Sequence, residues 1–68
     1  MDDDCARRIA RLTAEVRLFE EAVAEARGLS AGHVEIGRPP LEGLVLEREH
    51  ALAEKRAELA RVRAECGS

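Results

Sequence analysis

The chain has no tryptophan, no tyrosine and one phenylalanine, Phe19. Aromatic side chains dominate the buried area of most globular cores. With one of them, the core must be thin and made of Leu, Val, Ile and Ala, which favours elongated helices over a globule. No run of about 18 apolar residues occurs, so no membrane-spanning segment is expected. Clustered basic charge is missing too. The formal net charge is -3, which disfavours non-specific nucleic-acid binding. Two cysteines are too few for a structural zinc site. The segment Gly32-His33-Val34-Glu35-Ile36-Gly37 has two glycines but no Lys-Ser/Thr and no preceding strand, so it is not a phosphate loop. No nucleophile, base and orienter converge, and His33 and His50 are expected far from the cysteines. The expectation is therefore a chain with no catalytic residue, no cofactor and no metal.

With 68 residues the chain forms one domain at most. Chains this short often need a staple or a partner. Alanine, glutamate and arginine dominate, and all are good helix formers. The start, Met1-Asp2-Asp3-Asp4, is acidic where a signal peptide is basic and then apolar. A cytoplasmic location is expected on that ground, although a cysteine pair also suits an oxidising compartment.

The strongest pattern is a register. Cys5, Ile9, Leu12, Val16, Phe19, Val23, Ala26 and Ser30 step alternately by four and three. Leu41, Val45, Arg48, Leu52, Lys55, Leu59, Val62 and Cys66 do the same. Such a period of about 3.5 residues is that of a coiled-coil seam. When the chain folds back on itself, every pair matches. Ile9 faces Val62, Leu12 faces Leu59, Phe19 faces Leu52, and Cys5 faces Cys66. The predicted fold is all-α, a two-helix antiparallel coiled-coil hairpin, with dimerisation into a four-helix assembly as the next level open to it.

Helix 1 is expected over about residues 4–27. Asp2, Asp3 and Asp4 offer an N-cap and favourable charge at the positive end of the helix dipole. Gly28 is the expected left-handed stop. Helix 2 is expected over about residues 40–66, with Pro40 at the first helical position and Gly67 ending it. The loop, residues 28–39, is longer than a tight helical hairpin needs. It carries Leu29, Val34 and Ile36, with Leu41 and Leu44 just beyond. These five side chains either close off the tip end of the seam or form a partner-binding tip carried on a rigid scaffold.

Three further features carry meaning. Cys5 and Cys66 share the last matched layer, at the separation a disulfide requires; they are either bonded or two buried thiols acting as small hydrophobes. Arg48 and Lys55 occupy seam positions opposite Val23 and Val16. They are expected to lay their stems along the seam with their heads in water, with Glu15 and Glu20 in reach to pair with them. Their charge argues against a four-helix bundle centred on this same seam. Finally, Leu46, His50, Ala53, Ala57, Ala60 and Ala64 form a stripe on the outer face of helix 2. It is either a helix-packing face or simply good helix-forming filler.

The hairpin resembles the plasmid-encoded RNA-binding helical hairpins that dimerise into four-helix bundles. It is similar in layout to the hairpin co-chaperones of type III secretion needle subunits and to antiparallel hairpins that bind Rho-family GTPases. The resemblance covers length, two helices and apolar spacing, and no residue role is carried over on it. The expected function is a non-catalytic protein–protein interaction module: an adaptor, small co-chaperone or oligomerisation hairpin. The candidate contacts are Leu29, Val34, Ile36, Leu41, Leu44, Leu46, His50, Ala53 and Ala57. The partner is a protein, a second copy of the chain included. The alternatives are an RNA-binding hairpin dimer using Arg7, Arg11 and Arg17, and a purely structural or designed disulfide-stapled hairpin.

Overall fold

The computed structural model describes residues 3–67 as two helices, α1 (Asp3–Glu35) and α2 (Glu42–Gly67), packed side by side. The hairpin is a rod, with principal extents of 53 × 14 × 10 Å. Asp3 and Asp4 lie in the first turn of α1, where carboxylates oppose the positive end of the dipole. Asp2, the third expected capping residue, lies outside the described residues.

The register is the one read from the sequence. Among the described residues, Leu12, Val23, Ala26, Leu52, Leu59 and Val62 are the buried apolar ones, and all six are seam positions. Leu12, Leu59 and Val62 form a buried cluster towards the Cys5–Cys66 end, with Ile9, Val16 and Cys66 packed against it. Both ends of the seam are tied. Cys5 and Cys66 form a disulfide across a Cα–Cα distance of 5.8 Å. At the other end, the Leu41 backbone N–H donates to the Ser30 Oγ at 2.8 Å.

The helix ends differ from expectation. Gly28 does not stop α1, which runs through it and through Gly32 to Glu35. A glycine inside a helix costs about 1 kcal/mol relative to alanine. Stopping at Gly28 would remove Ser30 from the seam and leave the backbone groups beyond it without helical partners. The stop is Gly37, with φ of +78°. Its N–H donates to the Val34 carbonyl at 3.1 Å, and the Arg38 N–H donates to the His33 carbonyl at 2.8 Å. This pair of bonds is a Schellman motif, and it needs a residue able to take positive φ at that position. Pro40 is not the first helical residue either. Two successive prolines hold the residues before them extended, so the chain crosses back as a short strap. The Leu41 carbonyl accepts the first helical bond of α2, from the Val45 N–H at 3.1 Å. The loop of residues 28–39 therefore shrinks to residues 36–41, and α1 overhangs the last seam layer by five residues, roughly 7–8 Å.

Candidate protein-binding surface

The overhang decides where apolar surface is left uncovered. Among the described residues the exposed large apolar side chains are Leu18, Leu29, Val34, Ile36 and Leu46. Four of these five belong to the tip. Leu29 and Val34 stand on the last turns of α1, Ile36 begins the strap, and Leu46 lies in the second turn of α2. Ile36 is 68% exposed and Leu46 65%. Of the five side chains expected either to close the seam or to bind a partner, Leu41 and Leu44 are half-buried at its end. Leu29, Val34 and Ile36 do not close it: Leu29 stays exposed beside the last seam layer, and the continued helix carries Val34 and Ile36 past that layer.

On one flank of the tip, Arg27, Ser30, Ala31, Val34, Glu42, Val45 and Leu46 line an open groove of about 510 Å³. A second hollow of about 340 Å³, lined by Glu20, Val23, Ala24, Arg27, Glu49, Leu52, Ala53 and Arg56, continues the groove along the rod. Arg27 borders both. Two ion pairs cross this flank: Arg27 to Glu49 at 3.7 Å and Arg56 to Glu20 at 2.9 Å. Both are largely exposed, and such pairs contribute little to stability. The sequence pointed to Val34, Leu46 and Ala53 here but passed over Arg27, Ala31 and Val45. The available signal was the step 24, 27, 31, 34 along one side of α1, which is a helical stripe next to the seam.

The other flank is built differently. Lys55 leaves the seam there, as its long stem allows. Its Nζ donates to Glu58 Oε2 at 3.3 Å, stands 3.5 Å from Glu15 Oε2, and lies 5.6 Å from the centre of the Phe19 ring. The hydrogen bond to Glu58 is the largest influence raising the Lys55 pKa above 10.5; partial desolvation opposes it, and the charges of Glu15 and Glu58 reinforce it. Glu15 thus pairs with a seam cation as expected, whereas Glu20 pairs with Arg56 instead. Arg48 is half-buried and, with Phe19, Ala22 and Ala51, borders a hollow of about 180 Å³.

The remaining candidates are spread out. His50, Ala53 and Ala57 are all exposed. His50 Nε2 stands 3.2 Å from Glu54 Oε1, one turn along. Ala53 joins the grooved flank, while Ala57 borders a separate hollow with Glu54, Glu58 and Arg61. The outer stripe of α2 is thus divided between two surfaces. Among the described residues no three His, Cys, Asp or Glu side chains group closely enough to hold a metal ion, and no helix is long and apolar enough to cross a membrane. No protein-family model matches the chain, and no curated protein or solved structure shows significant similarity to it.

Proposed function

We propose that the chain is a non-catalytic protein-interaction module, an adaptor, co-chaperone or oligomerisation hairpin whose tip is its principal contact surface. One observation carries this reading: Val34 and Leu46 are exposed and line one open groove at the tip, with Leu29 and Ile36 exposed at the same end of the rod. Apolar side chains that converge on one patch commonly mark an interaction site, whereas scattered ones do not. The scaffold fits the role. A disulfide at the far end and a hydrogen-bonded strap at the near end hold both helices, so the tip is presented at little conformational cost to binding.

The test places a photo-activated cross-linking residue at Ile36, and in a second variant at Arg61, on the outer face of α2 towards the stapled end. In the source cells, the tip probe is expected to form one discrete protein adduct and the Arg61 probe none. Val34→Asp together with Leu46→Asp should abolish the tip adduct while helicity by circular dichroism stays unchanged. Equal labelling from both positions, or an adduct indifferent to the two aspartates, would sink the reading.

A further inference from the structure

We infer that the grooved flank is where two copies of this chain pair, running antiparallel, into a four-helix assembly. This deepens the protein-interaction reading by naming the partner of one flank. It does not depend on what Leu29 and Ile36 contact.

The argument rests on the order of charges along that flank. From the tip inward, the two helices present Val34 beside Glu42, Ala31 beside Leu46, Arg27 beside Glu49, Ala24 beside Ala53, and Glu20 beside Arg56. The helical period continues the series with Arg17 beside Ala60 and Thr13 beside Arg63. The layer of Ala24 and Ala53 has opposite charges on its two sides. On α1, Arg27 lies above it and Glu20 below, with Arg17, of the opposite sign, one turn further down. On α2, Glu42 and Glu49 lie above, and Arg56 and Arg63 below.

Turn a second copy end for end about an axis through the alanine layer. Arg27 then lies over the second copy's Glu20, Glu49 over its Arg56, and Glu42 over its Arg63. Two-fold symmetry repeats each match. Among the described residues, neither Glu42 nor Arg63 forms an ion pair within its own chain. At the centre only methyl groups meet, Ala24 on Ala24 and Ala53 on Ala53, so the helices approach closely. Towards the ends Leu46 lands on Ala60, Val34 on Thr13 and Arg17 on Ala31, large against small, which covers two of the exposed tip side chains; Arg17 meets an alanine in the tips-together arrangement too and favours neither. Side-by-side pairing with both tips together also matches the four inner charges. It leaves Glu42 over Val34 and Arg63 over Thr13, and so is the poorer fit. In neither arrangement do Arg48 or Lys55 enter the new interface.

The overlap runs from the Thr13 layer to the Val34 layer, roughly 32 Å of helix, on a rod 14 Å wide. The two footprints together are on the order of 1,000 Å², the lower edge for a specific interface. A weak dimer is therefore expected, present when the protein is concentrated and lost on dilution.

The experiment is light scattering on the oxidised full chain across a concentration series. The mass should rise from one chain to two, and Ala24→Glu or Ala53→Glu should hold it at one with helicity unchanged. Orientation is read from Ala24→Cys and Ala53→Cys, each treated with a short bis-maleimide after the native disulfide has formed. Each variant alone should give covalent dimers. Cross-linking only in a mixture of the two would show the tips-together arrangement and overturn the antiparallel register. A single-chain mass up to millimolar concentration would overturn the pairing altogether. Loss of the dimer with the Ile36 adduct retained would remove this inference and leave the tip reading standing.

Discussion

Leu12 shows how little of this molecule is interior. It is 1% exposed and is the largest side chain to be fully buried among the described residues. Its burial follows from position alone, in the third seam layer, opposite Leu59. Leu12→Ala should cost roughly 2–5 kcal/mol by chemical denaturation, as other core leucine truncations do. Leu18→Ala, on an exposed face, should cost under about 0.5 kcal/mol. Equal losses at the two positions would contradict the register. At this scale the sequence was a good guide to apolar residues and a poorer one to charges. The reach of a long side chain is not set by its own helical position, so Glu20 could be placed beside the seam but its choice of Arg56 could not be foreseen. The Ser30 hydroxyl was legible only as the last seam position. Its bond to Leu41 depends on where α2 begins.

Helix boundaries carry the element-scale lesson. Gly28 and Gly32 are helical and Gly37 is the stop, although all three are the same residue. What separates them is the backbone: only Gly37 has positive φ. A Cβ at Gly28 or Gly32 would meet nothing within 4 Å. Gly28→Ala and Gly32→Ala should therefore each raise stability by about 0.5–1 kcal/mol. Gly37→Ala should lower it by about 1 kcal/mol, because alanine resists that conformation. Thermal melts of the three variants check this, and a destabilised Gly28→Ala would show that α1 does end where the first glycine suggested. A glycine, as a letter in the sequence, is ambiguous between a tolerated helix interior and a cap. The Schellman bonds from Gly37 and Arg38 settle the matter, and they form only once the strap through Pro39 and Pro40 has a helix to return to.

For the whole molecule, one covalent bond closes nearly the full chain. Cys5 and Cys66 are separated by 61 positions, and the chain-entropy estimate for a loop of that size is about 4 kcal/mol. Domains have total stabilities of only about 5–15 kcal/mol, and a core this thin should lie at the lower end. Reduction should therefore lower the melting temperature sharply and begin by separating the ends of the rod. Circular dichroism melts with and without a dithiol reductant measure it, and superimposed curves would mean that the bridge adds nothing.

The antiparallel seam, its eight layers and the facing cysteines were determined by sequence alone, because an apolar period of 3.5 residues has one way to be buried in a chain that turns back once. The tertiary structure decided the rest. By continuing α1 to Glu35 it turned Leu29 and Val34 from loop residues into exposed helical ones, with Val34 carried past the end of the seam. By setting the two helices side by side it brought stripes far apart in sequence into one grooved flank. Those outcomes depend on the balance between helix continuation and chain reversal at a few residues, a difference of about one kcal/mol that local spacing does not encode.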